Sequence, residues 1–128
     1  MQAFLLTMPG APFIYYGDEI GLRYVENLVS VEGGYNRTGS RSPMQWNHEV
    51  NFGFSNASPE KLYIPTDDKP NSPTVEDQMK DPNSLYYEVK KLIALRREHS
   101  ALLSDGNIEF VSDGALSLIH ISEPTRLR

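Results

Sequence analysis

Pro9-Gly10-Ala11-Pro12-Phe13-Ile14-Tyr15-Tyr16-Gly17-Asp18-Glu19-Ile20-Gly21 is the stretch whose reading decides the fold. Phe13 to Tyr16 is a short apolar and aromatic run with turn residues on both sides. A run of that kind, bounded by Gly and Pro, predicts a fully buried strand over about 12–16. Such a strand needs neighbours on both edges and cover on both faces. The rest of the chain offers no second run of this kind to pair with it.

Upstream, Gln2 to Thr7 reads as the last turns of a helix, stopped by Pro9 and Gly10. Downstream, residues 22–80 carry no sustained period, and Pro43, Pro59, Pro65, Pro70 and Pro73 interrupt them. A loop of that length in a compact domain is expected to be functional. The clearest helix follows. Asp81 suits an N-cap and Pro82 the first helical position. Leu85, Val89, Leu92, Ile93 and Arg96 then recur on one face, which predicts a helix to about Glu98 or His99. Ser104-Asp105-Gly106-Asn107 is a turn, and Ile108 to Val111 alternates as the start of an antiparallel strand. Ser112-Asp113-Gly114 is the expected hairpin turn. Helix, buried strand, long loop, helix and β-strand in this order predict an α/β fold: the last unit of a (β/α)8 TIM barrel leading into a β domain. The expected division is 1–100 for the barrel part, 101–115 for the start of the β domain and 116–128 for a non-native tail.

That tail, Leu116-Ser-Leu-Ile-His-Ile-Ser-Glu-Pro-Thr-Arg126, resembles the in-frame translation of a transposase-type sequencing-library adapter. The alternative is a genuine second strand over Leu116–Ile121. The adapter reading is preferred, so the natural chain is expected to stop near Ala115 and His120 carries no functional weight.

Composition narrows the classes. The chain has 128 residues, no cysteine and a net charge of −5 with scattered basic residues. Disulfides and thiolate metal sites are excluded, and nucleic acid is not an expected partner. No apolar run approaches the roughly 18 residues of a spanning helix, so no membrane partner is expected. Residues 1–7 lack the basic start and cleavage site of a signal peptide. Secretion stays open, with the cytoplasm favoured.

Three motifs carry a family resemblance. The first is Gly10-Ala-Pro-Phe-Ile-Tyr-Tyr-Gly-Asp-Glu19. The second is Arg41-Ser-Pro-Met-Gln-Trp46 followed by Asn51-Phe-Gly-Phe-Ser55. The third is Asp81-Pro-Asn-Ser-Leu85 with Lys91-Leu-Ile-Ala-Leu-Arg96. Over about residues 1–111 the chain resembles the α-amylase superfamily of retaining glycoside hydrolases. Within it the chain is most similar to the branch of α-glucosidases, oligo-1,6-glucosidases and trehalose synthases. Ser42 stands where that branch's pattern has Thr, and Phe52 where it has Ala.

The resemblance implies a barrel with its site at the C-terminal ends of the strands. It implies α-linked oligosaccharide substrates, no cofactor, and two carboxylates about 5 Å apart working by retention. It also implies that the Asp nucleophile, the Glu acid/base and a second, sugar-fixing Asp, on strands four, five and seven, are not among these residues, so no residue here is a candidate catalytic group. The expected activity is hydrolysis of α-glucosidic bonds in maltooligosaccharides. The alternatives are a trehalose synthase-type transglycosidase and a non-catalytic, transporter-associated ectodomain of the same fold. The chain alone is expected to be inactive.

Individual residues divide accordingly. Arg41 is the candidate substrate-binding residue, because a guanidinium holds a rigid, permanently charged donor fork. The resemblance implies that it closes the glucose pocket with an aspartate from an early loop. The competing reading is a surface arginine or a structural ion pair. Asp18 and Glu19 tempt as a carboxylate pair, yet neighbours on a strand point to opposite faces. They are expected to hold loops, with Glu19 accepting hydrogen bonds; a calcium or sugar contact is the lesser reading. Trp46 with Met44 is expected to pin the long loop as a satellite core rather than to stack on sugar. Tyr15 and Tyr16 are expected to pack at the barrel end, and Tyr35, Asn36 and Arg37 to rim the site. His48 is expected to be solvated and His99 to cap a helix end. Asn36-Arg-Thr and Asn56-Ala-Ser match the glycosylation pattern.

Overall fold

The computed structural model describes residues 2–113 and 116–122. The chain forms two compact units: the stretch to Phe13 with everything from Glu88 onward, and Ile14–Tyr87. In order, the regular elements are α1 (Gln2–Thr7), α2 (Val75–Lys80), α3 (Leu85–Glu98), β1 (Asn107–Asp113) and β2 (Leu116–Ser122). Single 3₁₀ turns at Asp18–Ile20, Thr38–Ser40, Val50–Gly53, Pro59–Lys61 and Ser100–Leu102 punctuate the rest.

In the first unit, α1 ends where Pro9 and Gly10 were expected to end it, and its exposed carbonyls find one partner. The Arg96 guanidinium donates to the carbonyls of Leu6 (3.1 Å) and Met8 (2.6 Å), and also to that of Gly10. Arg96 is buried. Its place on the apolar face of α3 is therefore a polar task, collecting carbonyls that the helix end leaves open. Arg96→Met should strip these acceptors at a cost of about 1–3 kcal/mol. The complete enzyme carrying this segment should show it as a lowered Tm, which Arg96→Lys should restore only in part.

Helix α3 begins three residues later than expected. The Asp81 carboxylate accepts from the Asn83 amide (2.9 Å) and its carbonyl from the Ser84 amide (3.0 Å). Asp81 thus closes a local turn holding Pro82, and helical geometry starts at Leu85. Val89 is the best-buried residue of the face, and Glu88 pairs with Lys91 on the outside. His99 follows the helix and donates its amide to the Leu95 carbonyl. β1 and β2 pair antiparallel from Asn107↔Ser122 to Asp113↔Leu116. Gly114, the last residue of the expected turn, lies outside the described residues, as do residues 123–126 of the tail. Residues 116–122 alternate well enough to pair as a strand whatever their origin, so the pairing does not bear on the adapter resemblance.

The second unit overturns the central expectation about residues 12–16. They form no strand, and Phe13 is 88% exposed, with Ile14, Tyr15 and Tyr16 also exposed. The physical reason is plain: a strand is defined by its ladder, and no described residue pairs with this run. Its apolar side chains face outward for want of a covering layer.

The interior tells the same story from the other side. Among the best-buried side chains only Leu6 and Ile20 are apolar; Gln45, Thr74, Asp67 and Ser42 are polar. Phe13, Tyr15, Tyr24, Val31, Trp46, Phe54 and Tyr63 are exposed. A chain that buries its hydroxyls and exposes its aromatics is arranged to be covered by further apolar structure.

Candidate substrate-contact site

The second unit is held by side chains the sequence did not single out. Asp67 is fully buried and is met by Arg23, whose Nε lies 2.9 Å and Nη2 2.7 Å from Oδ2. The same guanidinium donates to the carbonyls of Lys69 and Pro70 and to the Ser72 hydroxyl. One arginine thereby fixes the 67–72 loop to the segment after Gly21. Gln78 on α2 works similarly: its amide nitrogen donates to the Ile20 carbonyl (2.7 Å) and its oxygen accepts from the Tyr86 amide (2.9 Å). Helix α2 was itself not expected. Its signal was Thr74-x-x-Asp77, a short capping motif: the Thr74 hydroxyl accepts from the Asp77 amide at 3.1 Å.

Asp18 and Glu19 behave as loop holders. Asp18 Oδ2 accepts from the Tyr15 amide (3.2 Å) and Glu19 Oε2 from the Gly17 amide (2.8 Å). Both carboxylates face back onto their own turn. Gly17 makes that turn possible: its φ of 89° suits glycine, and a Cβ there would stand 2.7 Å from the Cβ of Leu22.

The motif Arg41–Trp46 leaves the Thr38–Ser40 turn and runs to α2. The Gln45 and Trp46 carbonyls accept from the Val75 and Glu76 amides at 3.0 and 2.9 Å, filling the open donors of the helix start. The Tyr16 hydroxyl donates to the Ser42 carbonyl (3.2 Å), tying the motif to the first stretch. Met44 is buried as expected. Trp46 is not: half of it is exposed, so it is no core residue among the described residues. Gln45 is fully buried, and its amide, like the Ser42 hydroxyl, has no hydrogen-bond partner among the described residues; nothing in the structure explains this.

These placements open a cleft of about 270 Å³ lined by Tyr16, Arg41, Met44, Phe54, Leu62 and Tyr63. Its walls are mainly apolar and aromatic, with Arg41 the one charge. Burial holds the Tyr16 phenol above its ordinary value; Tyr15 adds to this and the Arg41 charge opposes it. On the far wall the Tyr63 phenol is also raised, first by its hydrogen bond with Glu32. Arg41 is exposed, and its guanidinium makes no hydrogen bond or ion pair with any described residue. Arg23 and Arg96, by contrast, are saturated with acceptors. An uncommitted guanidinium among aromatic walls suits a ligand with hydroxyl or carboxylate oxygens and an apolar face.

Tyr35, Asn36 and Arg37 lie on another shallow cleft with Gly34, and Arg37 sits 5.6 Å over the Tyr35 ring. His48 is exposed, as expected, and its Nε2 lies 2.6 Å from Asp77 Oδ2, joining the motif loop to α2. That bond is the first cause of the lowered Asp77 pKa. A depressed carboxylate stabilises the fold above its ordinary value near 3.8, and the contribution disappears as pH falls through the lowered value. His48→Ala should therefore raise the Asp77 pKa toward 3.8, followed by its carboxyl 13C shift; an unmoved titration would mean that the pair is not formed in solution. Among the described residues no three His, Cys, Asp or Glu side chains gather to hold a metal ion. No helix among them is long and apolar enough to cross a membrane.

The chain belongs to the alpha-amylase family: the model of the alpha-amylase catalytic domain matches residues 1–106. It is 41% identical over 103 residues to a trehalose synthase of Pimelobacter sp., an alignment covering 77% of this chain and 17% of that protein. It is 29% identical over 138 residues to an oligo-1,6-glucosidase of Halalkalibacterium halodurans, covering 87% and 24%. The solved structure of the trehalulose synthase MutB from Pseudomonas mesoacidophila superposes with a TM-score of 0.68 at 22% identity, over 92% of this chain and 28% of that one. The chain thus spans about a fifth of the length of the curated relatives it matches. The expected barrel family is confirmed, and the chain is a fragment of that fold.

Proposed function

We propose that this chain is the substrate-contacting, non-catalytic segment of a retaining enzyme that cleaves α-glucosidic bonds of maltooligosaccharides. The observation that carries the reading is Arg41, charged and uncommitted in an aromatic cleft beside the Asp18–Glu19 turn. Its guanidinium donates to sugar hydroxyls while Tyr16, Phe54 and Tyr63 supply apolar faces. The acid/base and nucleophilic carboxylates belong to parts of the barrel other than these residues. Asp18 and Glu19 are excluded from those roles, since both already accept from their own backbone.

A second reading has a specific support. Identity to the Pimelobacter trehalose synthase exceeds identity to the oligo-1,6-glucosidase, 41% against 29%. In that case the glycosyl-enzyme passes its glucose to a sugar hydroxyl instead of to water. Maltose given to the complete enzyme and followed by proton NMR separates the readings. Glucose released first as the α-anomer supports retaining hydrolysis, and trehalose supports transfer. Release of β-glucose would overturn retention. No turnover at all would favour the non-catalytic ectodomain.

A further inference from the structure

Phe52 is the most unusual residue of the described backbone. It has φ 56° and ψ 32°, between Asn51 at φ 51° and Gly53 at φ 70°. Asparagine and glycine visit this left-handed region readily, but a bulky aromatic does so rarely and under strain. The surroundings over-determine it. The Phe52 carbonyl accepts from both the Trp46 (2.9 Å) and Asn47 (3.2 Å) amides, and its own amide donates to the Glu49 carbonyl (2.9 Å). The buried Asn51 side chain donates to the Ser55 and Ala57 carbonyls at 2.8 and 2.7 Å. These backbone bonds need no ring. The aromatic side chain at a position made for Asn or Gly therefore requires a separate reason.

The ring opens onto a second cleft, of about 550 Å³, with His48, Lys69, Asn71, Ser72 and Asp77 around it. Asn71 is itself left-handed, at φ 57°. One strained residue, Phe52, thus borders the hollow, and strain of this kind concentrates at ligand clamps. The Lys69 ammonium and Asn71 amide make no hydrogen bond with any described residue, whereas Asp77 is held in place by His48. One half-exposed aromatic face, an amide, an ammonium and a fixed carboxylate match a pyranose, which has an apolar face and a rim of hydroxyls acting as both donors and acceptors.

We propose that this cleft is a second sugar-binding site, separate from the Arg41 cleft, with Phe52 as its stacking platform. Lys69 and Asn71 donate to ring hydroxyls, and Asp77 accepts from one. Its ligand class is a glucose unit of an α-glucan, held without chemistry.

The test uses the complete enzyme with 4-fluorophenylalanine at position 52 and maltose as the probe. The 19F resonance should shift saturably at millimolar maltose, and should do so equally in an Arg41→Ala background. That second arm separates this site from the substrate cleft. Phe52→Gly, which suits the backbone conformation while deleting the ring, should weaken maltose binding read by the Lys69 and Asn71 backbone amide shifts at least about tenfold, with Tm unchanged or raised. No 19F shift would overturn the proposal, as would unchanged maltose binding in Phe52→Gly. A Tm drop in Phe52→Gly without lost binding would make the ring a packing group and overturn it as well.

Discussion

Arg23→Ala should lower the local stability of the complete enzyme by about 3–5 kcal/mol, the usual result of breaking a buried ion pair from one side. The asymmetry of the pair sets the size. Asp67 is fully buried, while the Arg23 side chain is about one-third exposed. Removing the arginine leaves a buried carboxylate with the Lys69 amide as its remaining donor among the described residues. It also frees the Lys69 and Pro70 carbonyls and the Ser72 hydroxyl. Asp67→Asn is far milder, about 1 kcal/mol, because the guanidinium keeps those oxygen acceptors and some water. Native-state hydrogen exchange reads the difference directly at Lys69, whose amide is protected by Asp67. Its exchange should accelerate by about a hundred- to a thousandfold in Arg23→Ala, and by much less in Asp67→Asn. Equal acceleration in the two would show that the carboxylate is solvated and that the loop is held by other contacts.

Arg41→Ala should act on turnover and leave stability alone. Losing a charge-assisted hydrogen bond to substrate costs about 1.5–3 kcal/mol. That corresponds to a fall in kcat/KM of roughly 10- to 150-fold on maltose and maltotriose. The described residues give no reason for Tm to move, because the Arg41 side chain bonds to none of them. Arg41→Lys should recover only part of the loss, since an ammonium lacks the planar fork. An unchanged kcat/KM would remove Arg41 from the site. A fall in Tm matching the fall in activity would make it a structural residue.

How legible this was depended on where each residue's partner lies. Helix α1, the α3 face and the start of β1 follow from local periodicity and turn chemistry and appear in place, whereas Ser112 and Asp113, read as part of the hairpin turn, continue β1. The Asp18–Glu19 turn was readable too, because its partners are the neighbouring amides. Residues 12–16 resemble the family's eighth strand by motif, yet form no strand, since pairing is not a property of the run itself. Arg23 with Asp67, and Arg96 with the end of α1, are long-range matches between a donor fork and distant oxygens. No spacing rule announces them. The partner of the exposed His48, Asp77, is likewise far off in sequence. Helix α2 was missed because six residues are too few for a period, although its Thr74 cap was visible.

In the proposed function, substrate contact falls to these residues and chemistry to other parts of the barrel. Maltose turnover by the isolated 128-residue chain, set beside the complete enzyme, tests that division most directly. The account predicts no glucose or trehalose above background from the chain alone, and α-retained product from the complete enzyme. Turnover by the chain itself, abolished by Asp18→Asn or Glu19→Gln, would contradict it.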